Sequence, residues 1–549
     1  MLLFVIDKLR SIKQKELGEN VRNNWFIPVS ALFFLLLNAG MPELISMPFS
    51  SYISILPAFI LILLLSAICP PFRTFFNGTS RKIRAVAFFS SFGTCYSVWM
   101  ILRYCSYPAL FDYTFILRTA SMILAVPFVF AVCLILWQRL AELFRTIVLS
   151  ADVKKYELIL YSSIFLIYCV FVTICFTSSK AFYDVSGLGE VIYTSDSPGL
   201  VRYNTFVVVD DFQNDIRQPL FAIFSAPFTG IPCMIGNLIP GVPMALVLCY
   251  SQTALLFFTT FILATELKLS VFQRMSFMLV ASSTYSIMLF SVMIEQYVLS
   301  YFWLVMAICY LNREKEAGPL AMAASGSLLT NGVLVPVIYF PKTISKESVF
   351  ASIKKMIFWV GDFLIALLMA GRLHVLCNAG YSFLLLSPYM GGKVSLTSRI
   401  LQFFNYITGY FVIPVSEIQT VNNAPSWQLA KVTTLNFAGV AIFVLALIAF
   451  CFTRSEKLSK VAFGWILFSV LVLILVGWGT AENGLVLYSL YFGWPFFVLI
   501  FNGLKALETK LNTKLIIPVC SAVMSLVMLT FNIPGIIMMI RFAIKNYPA

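Results

Sequence analysis

Residues 157–177 read ELILYSSIFLIYCVFVTICFT, and residues 193–224 read YTSDSPGLVRYNTFVVVDDFQNDIRQPLFAIF. The first stretch is apolar and long enough to cross a bilayer as a helix of about 20 residues. The second is the most polar part of the chain, with Asp196, Asp210, Asp211, Asp215, Arg202 and Arg217. Lys154 and Lys155 precede the span, and loops rich in Lys and Arg stay on the cytoplasmic side. The span therefore runs outward and delivers an acidic loop, 178–218, to the outer face. The remaining spans are oriented from this one.

Composition sets the class. The chain has 549 residues, of which 60% are hydrophobic and 11% charged, and its mean hydropathy is +0.91. A soluble core cannot absorb that much apolar surface, so the reading is an all-α polytopic membrane protein. The net charge of +14 reflects Lys and Arg gathered in cytoplasmic loops rather than a nucleic-acid surface. Twelve cysteines scattered without a C-x-x-C pair speak against a disulfide framework or a zinc site, and one histidine, His374, disfavours a His-based metal site or a Ser-His-Asp triad. No P-loop, dinucleotide fingerprint or H-E-x-x-H is present, which leaves no nucleotide or haem motif.

Outward from the opening stretch, hydropathy and charge predict about thirteen spans. Four lie near 25–38, 52–69, 85–105 and 118–137, after a charged N-terminus read as cytoplasmic. The others lie near 157–177, 242–265, 276–294, 298–312, 357–373, 434–453, 461–478, 486–504 and 515–535. Pro219–Gly241 is apolar but interrupted by Pro and Gly, and is expected to form short helices in the interface. Gly318–Phe340 has basic residues on both flanks (Lys315, Lys342), so two short helices that turn back are expected instead of a crossing. The organisation is read as a four-span bundle (1–156), a core carrying the acidic loop (157–372) and C-terminal spans (373–549) with a second outer segment, 374–433.

Several polar positions are candidates for chemistry. Asp196, in Thr-Ser-Asp-Ser-Pro, could take a proton from an acceptor hydroxyl or hold a metal; it also has the form of a helix N-cap. Arg217 stands directly before Pro-Leu-Phe, where its fork suits a phosphate, although an arginine there can also snorkel as an anchor. Glu295 ends an apolar segment on the outer face without a basic neighbour in sequence, and ionisable residues near membrane depth are functional candidates by default; a headgroup-level carboxylate is the plainer alternative. Arg202, Asp215, Lys393, Arg399 and Glu482 complete the set of outer-face residues that could meet a phosphate or sugar.

Taken together, the span 157–177, Asp196 in its Thr-Ser-Asp-Ser motif, Arg217-Gln-Pro-Leu-Phe221 and Glu295 after the next outward span resemble the GT-C superfamily of polytopic glycosyltransferases. The hairpin 318–340, with Thr330-Asn331, looks like the broken helices of that class. The resemblance covers 157–340. Four spans precede the acidic loop where the family usually has one, and the motif is Ser-Asp rather than paired acids, so a divalent cation stays an open question. The resemblance implies transfer of a sugar from a polyprenyl-phosphate carrier to a glycan or protein acceptor at the outer face of a bacterial-type cytoplasmic membrane. In that reading Asp196 is the base, Glu295 a second acid, and Arg217, Lys393 and Arg399 phosphate ligands. A flippase or exporter of lipid-linked saccharide, or a non-catalytic partner in envelope assembly, are the alternatives.

Overall fold

The computed structural model describes residues 76–80, 153–182, 191–193, 217–221, 243–340, 345–369, 394–421, 423–481 and 485–549, with isolated positions between them. The four expected N-terminal spans therefore lie, apart from single positions, outside the described residues. Among the described residues five helices are long and apolar enough to cross a membrane: Lys155–Ser178, Ala245–Glu266, Lys457–Val476, Leu485–Leu511 and Ile516–Asn546. The described residues are mostly helical, with one two-stranded hairpin among them.

In chain order the described helices are α1 (Lys155–Ser178), α2 (Met244–Glu266), α3 (Val271–Ser283), α4 (Tyr285–Val292), α5 (Tyr297–Asn312), α6 (Gly318–Ser327), α7 (Leu334–Tyr339), α8 (Lys346–Met369), α9 (Leu396–Phe411), α10 (Phe437–Thr453), α11 (Lys457–Val470), α12 (Ser489–Leu511) and α13 (Ile516–Asn546). The strands β1 (Ser416–Val421) and β2 (Ala424–Leu429) pair antiparallel between α9 and α10. Local chemistry starts several helices: Ser270 and Gln273 form a capping box on α3, and Asn436 caps α10 through the Gly439 amide.

Helix α5 lies at the centre. Every residue from Tyr297 to Leu311 is buried, as expected for a helix that is apolar all round. At 16 residues it is about 24 Å long, short of the ~30 Å hydrocarbon core. Helices α1 and α13 lie at the margin and leave Leu166, Ile167, Val170, Val519, Leu526 and Phe531 exposed, the pattern of lipid-facing spans. α3 packs on α13 and α5 on α12, so residues from both sides of position 372 share one core.

The expected span 276–294 is not one helix. It is α3 and α4, bent by 63° at Thr284. Thr284 Oγ1 donates to Ala281 O at 2.7 Å and accepts from Ile287 N at 3.4 Å, ending one helix and starting the next. Broken backbone inside an apolar bundle must find other partners. Tyr168 donates to Ser282 O, and Asn532 donates to Ser283 O (2.8 Å) and Phe411 O (2.9 Å) while accepting from Ile413 N (2.7 Å). One amide on α13 thus holds the break and the end of α9.

The segment 318–340 does turn back. α6 and α7 are joined by a 3-10 turn, Leu329–Val333, and a Cβ placed on Gly318 would sit 2.6 Å from Tyr339 Oη. Its two ends are neighbours. At the start of the expected interfacial stretch 219–241, Phe221 and Phe224 are helical; they and Leu220 are buried, and Phe224 packs against Trp303 of α5. The segment 374–433, read from sequence as outer, holds α9 and the β-hairpin.

The helix ends gather into two groups. At one, Arg274 forks onto Glu157 with both bonds at 2.8 Å, Arg313 pairs with Glu266, and Lys457 and Lys505 reach Leu311 O and Leu267 O. At the other, Ser179 binds Tyr547 O at 2.6 Å, and residues 191–193 run beside β2 through Tyr193 N to Trp427 O and Trp427 N to Val191 O, each 2.8 Å. The first group contains Lys155, Lys315 and Lys457, and the second joins the two segments read from sequence as outer. The charge pattern and the fold therefore divide the helix ends in the same way.

Candidate functional site

The broken hairpin 318–340 and the strap Arg217–Leu220 form the first part of the site. Leu329 N donates to Arg217 O at 2.7 Å, and Leu220 N donates to Gly326 O at 2.8 Å. Arg217 is thus fixed by its backbone at the hairpin tip. Gly326 makes this approach feasible, because a Cβ there would lie 2.7 Å from the Phe224 ring and 2.9 Å from Leu220 Cβ. The missing side chain lets strap and hairpin touch along their backbones.

Glu295 forms the second part. It lies in the short non-helical link between α4 and α5 and is fully buried. The link is held by Gln252 of α2, whose Oε1 accepts from Glu295 N at 3.2 Å and whose Nε2 donates to Met293 O at 3.2 Å. One turn into α5, Ser300 Oγ lies 3.2 Å from both Gln296 O and Ser327 O. Ser327 ends α6, next to the turn that holds Arg217. The segments carrying Arg217 and Glu295 are therefore joined through Ser300 and the hairpin tip.

The tip carries further polar groups. Thr330 shares a 3.0 Å hydrogen bond with Tyr491 of α12. Asn331 Nδ2 donates to Ala324 O at 2.9 Å. Asn331 Oδ1 and Ser325 Oγ are buried without a hydrogen-bond partner among the described residues, an uncommon condition that costs free energy unless something else satisfies them.

Next to the acidic loop's stem, Tyr193 is a hub. Its Oη accepts from Tyr285 Oη (2.8 Å) and Trp427 Nε1 (3.1 Å), so its own proton goes to Ser416 Oγ at 2.8 Å, and Ser416 passes its proton to Pro414 O at 2.9 Å. Burial pushes the Tyr193 phenol above its usual range; its hydrogen bonds to Ser416, Tyr285 and Trp427 pull the other way but do not prevail. The phenol stays neutral and ties the loop stem to α4 and the hairpin.

Of the residues singled out in the sequence, the structure brings Arg217 and Glu295 to one region. Asp196, Arg202, Asp215, Lys393 and Glu482 lie outside the described residues, as do Asp210 and Asp211. Arg399 is placed differently from a phosphate ligand. Its guanidinium donates to Val394 O (3.1 Å), Ile474 O (3.3 Å), Leu475 O (3.0 Å) and Gly391 O. The carbonyls of Ile474 and Leu475 belong to the π-turn that extends α11 to Val476, and those of Val394 and Gly391 lie just before α9. Four of its five donors are thus used on backbone, which makes Arg399 a clamp for a helix end.

Sequence reading passed over Gln252, Ser300, Ser325 and Tyr193. A buried glutamine amid the apolar run of α2 was the one local signal, since amides in apolar spans need a partner. Among the described residues no group of three or more His, Cys, Asp or Glu side chains could hold a metal ion. No family model, curated protein or solved structure matches this chain.

Proposed function

We propose that this chain is a membrane glycosyltransferase that moves a sugar from a polyprenyl-phosphate carrier to an acceptor at the membrane's outer face. One observation carries the reading. A strap bearing Arg217 is fastened by two backbone hydrogen bonds to a re-entrant hairpin, and the link bearing buried Glu295 borders the same hairpin through Ser300. A phosphate at headgroup level needs a cation with a fixed backbone, and an arginine fork provides bidentate contact. Transfer to a hydroxyl needs a base, for which Asp196 is the choice, and Glu295 would orient a partner or hold a cation. The basic helix ends then face the cytoplasm by the positive-inside rule, and the carrier's tail lies between helices and lipid.

The test uses purified protein in lipid with a panel of polyprenyl-phosphate sugars, following release of free carrier phosphate. Release with at least one donor, dependent on Asp196 and Arg217, is the expected result. No release with any donor and acceptor mixture would overturn the reading.

A second reading, a flippase of lipid-linked saccharide, draws on the two broken helices, since discontinuous helices with unwound backbone are a common device for binding sites in transporters. Movement of a labelled lipid-linked saccharide between leaflets without bond cleavage would favour it.

A further inference from the structure

At the helix ends away from Arg217 and Glu295, the termini of α2, α5, α11 and α12 enclose a cavity of about 810 Å³. Five cationic residues line it against three carboxylates, an imbalance that favours an anion. Two of the cations are already neutralised: Arg274 by Glu157 and Arg313 by Glu266. Lys268, Lys457 and Lys505 remain, with Glu314 and Glu456 beside them.

The lysines differ in how they are held. Lys457 Nζ donates to Leu311 O at 2.6 Å and Lys505 Nζ to Leu267 O at 2.8 Å. These carbonyls belong to the ends of α5 and α2, so both ammonium groups are fixed where cations suit the helix dipole. An ammonium has three donors, and each keeps two beyond its carbonyl. Lys268 is exposed at the rim, in a left-handed backbone conformation with φ of 53°.

We infer that this cavity binds the phosphodiester of an anionic phospholipid headgroup. The excess of a single positive charge matches a phosphodiester monoanion better than a dianionic phosphate. The position matches too, since the cavity lies at the ends of apolar spans where headgroups sit, and basic pockets between transmembrane helices are a recurrent form of lipid recognition. The inference does not depend on the glycosyltransferase reading.

The test uses the full-length protein in detergent, with native mass spectrometry and melting curves as readouts. The probes are phosphatidylglycerol, phosphatidylcholine and inorganic phosphate. The variants are Lys268→Gln, which removes a rim charge, and Lys510→Gln, which removes an exposed cation outside the cavity. Wild type and Lys510→Gln should retain phosphatidylglycerol and melt later with it. Lys268→Gln should hold it roughly fivefold more weakly, the loss expected for one basic residue near an anionic headgroup, while melting like wild type without lipid. Phosphatidylcholine should have little effect. Equal weakening in the two variants would make the effect one of general charge and overturn the proposal. Stabilisation by inorganic phosphate but not by phosphatidylglycerol would overturn the lipid assignment in favour of a soluble phosphate.

Discussion

Two interruptions in apolar helix, at Thr284 and at the 328–333 turn, look alike in outline and differ in their polar accounting. At Thr284 the exposed carbonyls of Ser282 and Ser283 are met by Tyr168 and Asn532. At the hairpin tip Asn331 Oδ1 and Ser325 Oγ find no partner among the described residues, and the strap of Arg217 docks beside them. A break whose groups are all satisfied inside the protein is architecture. A break that keeps unsatisfied groups close to a cation has something to offer a ligand. The difference separates a hinge in the scaffold from a candidate site.

The largest expected effect belongs to Asp196, the base of the proposed reaction. In the proposed reaction Asp196→Asn removes the base, and it would preserve the N-cap that the sequence Ser-Asp-Ser-Pro suggests, because Asn caps about as well as Asp. Turnover should fall roughly 10²–10⁴-fold with the melting temperature unchanged. An Asn variant as active as wild type would remove Asp196 from the chemistry.

Next comes the Thr284 break. Asn532→Ala should lower the melting temperature strongly, since Ser283 O, Phe411 O and Ile413 N lose their partner and each buried orphan costs about 1–3 kcal/mol. A variant that melts like wild type would show that the break is held in another way, and the contrast between the two interruptions would go with it.

Arg217→Ala should weaken use of the lipid-phosphate donor by about 1.5–3 kcal/mol, the range for a hydrogen bond to a charged group, visible mainly in KM. Arg217→Lys should recover only part, because an ammonium lacks the fork. Unchanged donor use in the Ala variant would leave Arg217 as an anchor for the strap.

The smallest effect sharpens the contrast most. Ser325→Ala removes a hydroxyl that has no partner among the described residues, so stability should hold or rise by about 1 kcal/mol, whereas donor or acceptor KM should increase. A drop in melting temperature with unchanged kinetics would assign Ser325 to the scaffold and make the hairpin tip resemble the Thr284 break.

Much of this was legible in the chain because an apolar run is a local property. The apolar runs expected at 242–265 and 486–504 correspond to helices long enough to cross a membrane, α2 and Leu485–Leu511, and those at 298–312 and 434–453 to the shorter helices α5 and α10. The basic flanks of 318–340 were enough to predict its return, since each lysine carries its own preference for one side of a membrane. Arg217 and Glu295 could be picked out as charges set against apolar neighbours. What only the tertiary structure decided involves partners far apart in sequence. The bend at Thr284 is held by Asn532, 249 residues from Ser283, and nothing local distinguishes that threonine from one that binds within its own helix. Arg399 resembles a phosphate ligand in sequence and becomes a clamp because the carbonyls of Ile474 and Leu475, some 75 residues on, need donors. Glu157 and Arg274, which separately mark two helix starts, are joined across 117 residues into a buried pair. Hydropathy is additive along a chain and can be read in windows, whereas hydrogen-bond satisfaction is a property of the assembled interior.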